Sequence, residues 1–370
     1  MMSKITPHAQ LELSKSGMLN NYRYFRSKLK DTTKLLVLVK ANSYGHGAVE
    51  FAHALEKAGA DYLGVAFPIE GIELKKSGIN LPVLVLTSGL ESYPEIIEYG
   101  LEPGMPNMEA MIRFRDELRK AGKVGYPVHI KLDTGMHRLG FMERELPALK
   151  SFLQESPEFF VKSIYSHLAA SDEAQHDEFT LGQIALYEKM SSDLISILTN
   201  KPIRHILNSA GIERFTQYQY DMVRLGIGIY GVSAVDQSAM KPSAFLRCPI
   251  LQIKELGPED GTVGYGRHGQ LGPGIKRTAT ICVGYADGIN RHLGRGNASF
   301  EVNGKLAPTI GNICMDMCML DITGIDAQVG DTVTVFGNKP TAIDLAKILD
   351  TIPYEIFTSI PKRVKRVFID

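Results

Sequence analysis

Between residue 35 and about residue 230 the chain repeats one pattern eight times: a short apolar run, then a stretch with helical spacing. The runs occupy 35–39, 62–66, 82–86, 101–104, 128–132, 161–165, 203–207 and 222–225. The clearest helix between them puts Ala48, Phe51, Ala52, Leu55 and Ala58 on one face and stops at Gly59; others cover 108–121 and roughly 176–198. Apolar runs without alternation suit strands buried on both faces, and helices between them suit a parallel sheet. Eight such units in this length predict a (β/α)8 TIM barrel, which needs about 250 residues. A doubly wound open sheet has the same spacing and stays open as an alternative. The fourth run is the weakest, because Pro103 and Gly104 lie in it.

Beyond about residue 235 strand-like stretches dominate, at 251–254, 278–283, 299–302, 313–320 and 332–336, with one clear helix at 342–349. Turn signals such as Gly257-Pro258 and Asn303-Gly304 separate them. The fold class expected is therefore α/β plus β: a barrel over 1–240 and a mostly β domain over 241–370. A length of 370 residues asks for two cores in any case. The 41 basic and 41 acidic residues balance, so nothing steers the chain to nucleic acid or an anionic membrane. No run approaches the ~18 apolar residues of a membrane span, and 1–10 has no signal-peptide pattern. The four cysteines form no spaced framework. A cytoplasmic protein is the expectation.

Chemistry gathers at the ends of the runs. Lys40 closes the first, where barrel enzymes carry reactive groups, and a desolvated lysine has a lowered pKa and can form a Schiff base. Ser209 follows the seventh run where a helix would start, a natural phosphate site because free N–H groups point outward. Arg138 offers a planar fork that matches a carboxylate at two points. Gly226 to Gly231 spells G-x-G-x-x-G, but it comes last in the series and lacks the acid a dinucleotide fold needs. Cys314 and Cys318 would share a face of a strand; with no second pair they read as core thiols, and no metal site is expected. His46 reads as a structural cap.

The stretch Val39-Lys40-Ala41-Asn42-Ser43-Tyr44-Gly45-His46-Gly47 resembles the pyridoxal 5'-phosphate lysine motif of alanine racemases. Further blocks follow in that family's order as far as Tyr354. The resemblance implies that Lys40 holds the cofactor and moves one proton. It implies that Tyr265, in Thr262-Val263-Gly264-Tyr265-Gly266, moves the other from the partner subunit of a homodimer with shared active sites. It assigns Tyr44, Ser209, Gly226, Ile227 and Tyr354 to the phosphate, Arg224 to the pyridine nitrogen, and His167 to the neighbourhood of the ring. Arg138, Met315 and Tyr285 go to the substrate, with His205, Asn208 and Lys131 in support. In some relatives the lysine at the Lys131 position is carbamylated, which turns a repelling cation into an anion able to hold Arg138; chloride or a carboxylate would do the same beside a plain lysine. Departures are Asn312, where many members have arginine, Gly264 for a common serine and Leu225 for a common proline.

The implied activity is interconversion of L- and D-alanine, feeding peptidoglycan. Three rivals stand beside it: a serine racemase, a decarboxylase of the same two-domain type, and a non-catalytic cofactor carrier. Arg224 and Tyr265 speak against the decarboxylase, which would place an acid at the pyridine nitrogen.

Overall fold

The structure is a computed structural model that describes residues 8–370; most of the stretch read against a leader lies outside it. The chain divides into two compact units.

The larger unit holds residues 19–43 and 48–241. Its eight parallel strands are Lys34–Leu38, Tyr62–Val65, Val83–Val85, Glu102–Met105, Tyr126–Lys131, Phe159–Tyr165, Ile203–His205 and Met222–Leu225. Each of the first six pairs with the next in chain order, and the first also pairs with the eighth, Leu36 beside Arg224. Two backbone bonds nearly close the ring, Arg224 N–H to Leu207 at 3.0 Å and Asp221 N–H to Arg204 at 3.2 Å. All eight runs read from the sequence are strands of this TIM-type barrel. Helices Ala48–Lys57, Met108–Lys120 and Asp177–Ile195 stand where periodicity put them.

The weak fourth run is a strand for a packing reason. A Cβ on Gly104 would lie 2.5 Å from the Tyr165 hydroxyl, so the glycine makes room for a ring inside the barrel.

The smaller unit holds the described residues up to Met18, then Tyr44–Gly47 and Pro242–Asp370. Its spine is the long strand Ala244–Leu256, which pairs antiparallel with Gln10–Leu13, Lys276–Ile281 and Thr332–Phe336. Gln10–Leu13 also pairs in parallel with Lys365–Phe368. The division expected at 240/241 foresaw no such exchange of chain segments. The expected strand over 313–320 is shorter: only Cys318–Asp321 is extended, and a turn closed by Cys314 N–H to Met317 at 2.9 Å precedes it. Among the described residues no helix is long and apolar enough to cross a membrane.

Candidate functional site

The residues singled out from the sequence fall into two sets, one in each unit. In the barrel, Lys40 follows the first strand. The chain directly after it makes a left-handed turn: Ala41, Asn42, Ser43 and Tyr44 have φ of 51°, 53°, 56° and 52°. Side chains with a Cβ pay about 1–2 kcal/mol each there, so the surroundings must hold the turn. Ser43 N–H bonds Val39 at 2.8 Å, and the Asn42 side chain accepts from Ala48 N–H at 2.9 Å. Glu70 accepts from the N–H of Ala41 at 2.5 Å, Ala66 at 2.7 Å and Phe67 at 3.1 Å. Burial and then the Arg138 charge lower the Lys40 amine's pKa, while Glu70 pulls it back up. Glu70 escaped the sequence reading. Its signal was Pro68 followed by an acid two residues on, a helix-start pattern.

Lys131 ends the fifth strand, buried, and its pKa falls to about 8 through burial and then the charges of Arg138 and Arg224. The loop after it turns on Asp133, which accepts from Gly135 N–H and His137 N–H, both at 3.0 Å, and from the His137 ring at 3.2 Å. Gly140 lets the loop return: a Cβ there would sit 2.7 Å from the Asp133 nitrogen. Arg138 is carried, exposed, on this loop.

Arg224 is buried, and both its terminal nitrogens meet acceptors. Its Nη1 donates to His205 Nδ1 at 2.7 Å, and its Nη2 to Ser166 O at 2.5 Å, Ile206 O at 3.0 Å and His167 Nδ1 at 3.1 Å. An arginine can only donate, so both rings accept at Nδ1 and carry hydrogen on Nε2. Burial and the arginine charge keep both histidines well below their usual pKa, hence neutral. Burial lowers Arg224 itself to about 10, leaving it a cation at neutral pH. Ser209 opens the helix Ser209–Arg214, capped by the Asn208 side chain through Gly211 N–H at 2.9 Å. The Ser209 hydroxyl accepts from Gly226 N–H at 2.9 Å and Gly228 N–H at 3.2 Å, beside the short turn Ile227–Tyr230.

In the smaller unit Tyr265 begins a tight turn between Gly264 and Gly266, whose φ are +78° and +67°, and it is 72% exposed. Asn312, whose effect was unreadable in sequence, anchors it: its Nδ2 donates to Tyr265 O at 2.7 Å while its Oδ1 accepts from Arg295 at 2.7 Å. Tyr285 and Met315 lie on neighbouring loops, joined by Tyr285 N–H to Cys314 O and Ala286 N–H to Met315 O, both 3.0 Å. Gly284 permits that approach, since a Cβ would lie 2.3 Å from Met315 O. Tyr44 and Tyr354 pack with ring centroids 5.6 Å apart. His46 is structural, bonded to Tyr44 O and Ser243 Oγ, each at 3.0 Å.

In the basic tail over 362–366, Arg363 is exposed and Arg366 is half-buried, and both are bonded. Arg363 bridges Asp287 at 2.8 Å and Asp316 at 2.7 Å, and Arg366 donates to the carbonyls of Gly45 at 3.0 Å and Ile360 at 2.6 Å. Among the described residues no group of three or more histidine, cysteine, aspartate or glutamate side chains is placed to hold a metal.

Two family models match the chain: alanine racemase, N-terminal domain, over 14–234, and alanine racemase, C-terminal domain, over 244–368. The alanine racemase of Synechocystis sp. is 36% identical over 99% of this chain and 100% of its own length. Alanine racemase 1 of Clostridium acetobutylicum is 36% identical over 95% of this chain and 94% of its own. Among solved structures, the alanine racemase of Clostridium difficile 630 superposes with a TM-score of 0.91 at 33% identity, covering 99% of this chain and 97% of that one. A complex of that protein with cycloserine superposes with a TM-score of 0.90.

Proposed function

This chain belongs to the alanine racemase family of pyridoxal-phosphate-dependent isomerases, and from that premise we propose that it interconverts L- and D-alanine with pyridoxal phosphate held on Lys40. The observation that carries the reading is the lysine itself: an amine with lowered pKa at the carboxyl end of a barrel strand, with an arginine fork on a loop whose charge reaches it.

The barrel fits the cofactor. The Lys40 amine is the covalent anchor. Ser209, at a helix start, and the chain around Gly226 and Ile227 offer a hydroxyl and amides to the phosphate. The family resemblance assigns Tyr44 and Tyr354, packed on one another in the smaller unit, to the phosphate as well. Arg224 spends Nη1 and Nη2 on protein acceptors, which leaves Nε–H for the ring nitrogen. When bound, the cofactor withdraws electrons from the substrate α-carbon and so acidifies its proton.

The protein's part is to hold the substrate and move that proton. Arg138 grips the carboxylate, and the Met315 amide takes its other side. Lys40 Nζ serves one face of the α-carbon. The Tyr265 phenol of the partner subunit serves the opposite face, with Tyr285 in the entryway. Tyr265 stands in solvent, and a phenol needs cationic or hydrogen-bonded neighbours to act near neutrality; the partner's barrel supplies His167 and Arg224. Arg224 cannot give up its proton, so it would only donate to the ring nitrogen of a bound cofactor. A cofactor held in this way would draw charge from the α-carbon only weakly, which would favour racemisation over side reactions. The decarboxylase reading would need an acid in its place.

Lys40, Lys131, Arg138 and Arg224 put four cationic side chains near one another, as their mutual effects on pKa record. Lys131 is the one to be relieved: near pKa 8 its neutral amine adds to carbon dioxide with loss of one proton, and the carbamate anion then holds Arg138.

The test is reduction with borohydride followed by peptide mapping. A pyridoxyl adduct on Lys40, absent from Lys40→Ala, is expected. Protein that takes up pyridoxal phosphate but carries the adduct elsewhere refutes the assignment.

A further inference from the structure

TIM-barrel interiors are filled mainly by branched apolar side chains. Here five polar groups on five consecutive strands cross the interior in a line. Arg224 is on the eighth strand, His205 on the seventh, Ser163 on the sixth, His129 on the fifth, and Glu102 heads the fourth. His205, Ser163 and His129 are fully buried and Arg224 nearly so, while the Glu102 side chain is 12% exposed.

Each is bonded to the next. Arg224 Nη1 lies 2.7 Å from His205 Nδ1, His205 Nε2 2.9 Å from Ser163 Oγ, Ser163 Oγ 2.5 Å from His129 Nδ1, and His129 Nε2 2.7 Å from Glu102 Oε2. The register makes this possible, for His129 and Ser163 are direct partners across their strands. The Tyr62 phenol and the Lys75 amine both lie near enough to feel the Glu102 charge.

The two ends, with one ring hydrogen on each histidine, set the direction of every bond between them. Arg224 has no acceptor, so His205 accepts at Nδ1 and donates from Nε2. Ser163 therefore accepts from His205 and gives its single hydrogen to His129 Nδ1. His129 donates from Nε2 to Glu102, whose carboxylate has no hydrogen to give. Four bonds point the same way, from a buried cation to a carboxylate at the far side of the barrel. Bonds in such a row polarise one another.

We propose that Glu102, His129 and Ser163 are positioning residues for Arg224, and that the Glu102 charge sets, through this row, how firmly the guanidinium is held and how much of its donor strength remains for the cofactor's ring nitrogen. The proposal rests on the reading of Arg224 given above. By drawing on His129, Glu102 makes each successive acceptor more basic, so that His205 draws harder on Arg224 Nη1. The guanidinium plane is locked, and its Nε–H is a tempered donor. A carboxylate acting at this remove differs from one placed at the ring nitrogen: it moderates the arginine without taking its place.

The test reads histidine ring nitrogens by 15N NMR in the full-length protein with cofactor bound. His129 and His205 should both carry their ring hydrogen on Nε2 and accept at Nδ1. Glu102→Gln, which removes the charge and keeps the shape, should move the His205 Nδ1 resonance. In a Ser163→Ala background the same change should leave that resonance where it is. An unmoved His205 in Glu102→Gln, or a shift that survives Ser163→Ala, overturns the proposal, as does hydrogen on Nδ1 of either ring. In turnover, each single variant should lower kcat by about tenfold with little change in KM, the cost of one lost buried partner. The double variant should be no slower than the worse single one, and additive losses would count as refutation. The NMR arm does not depend on which amino acid is the substrate, so failure of the row and failure of the alanine reading are told apart.

Discussion

Lys131 shows how one side chain can report on the site. Its folded pKa of about 8 lies below the ordinary 10.5, so between those values the unfolded chain binds the extra proton. Stability should therefore rise with pH across that window, with the full penalty of the cation present below it. In carbon-dioxide-free buffer the thermal midpoint should climb from pH 8 towards 10, and Lys131→Met should abolish the climb. Equilibration with bicarbonate should flatten it and raise the midpoint at neutral pH, because the carbamate removes the cation. A wild-type profile identical in both buffers would argue that a plain lysine with another counter-ion is the resting state. Lys40 and Arg224 were legible in sequence because they stand at the ends of apolar runs, and Arg138 because its block follows one. Glu70, Asn312 and Arg363 were not. Each works by meeting backbone groups or charges brought from distant segments, and no spacing along the chain records such a meeting.

At the level of elements, the barrel strands were readable because burial on both faces leaves unbroken apolar runs. The strand Gln10–Leu13 was not, being four residues long with its partners more than two hundred positions away. It lies between two strands, and Leu13 is fully buried. Leu13→Ala should cost about 2–5 kcal/mol in denaturant unfolding, the usual penalty for a cavity of that size. A loss under about 1 kcal/mol would mean this strand is dispensable to the smaller unit. The left-handed turn after Lys40 was equally hidden. Ala-Asn-Ser-Tyr carries no glycine to announce positive φ, and only the surrounding bonds hold it. Its effect is to stop a helix from continuing directly off the reactive lysine.

For the whole molecule, the proposed division of labour places Lys40 and Tyr265 of any one active site on different chains. Lys40→Ala and Tyr265→Phe should each be inactive alone. Mixed in equal amounts and allowed to exchange, they should recover about a quarter of wild-type activity, since half the dimers are mixed and one site in each is intact. No recovery after demonstrated exchange would put both residues in one chain's site. The most direct measurement of the central claim is the circular dichroism of L-alanine, and separately of D-alanine, followed over time with cofactor-saturated protein. Both signals should decay to zero at equal concentrations of the two forms, with Lys40→Ala flat. A signal from either enantiomer that stays constant with the wild-type protein would contradict the account.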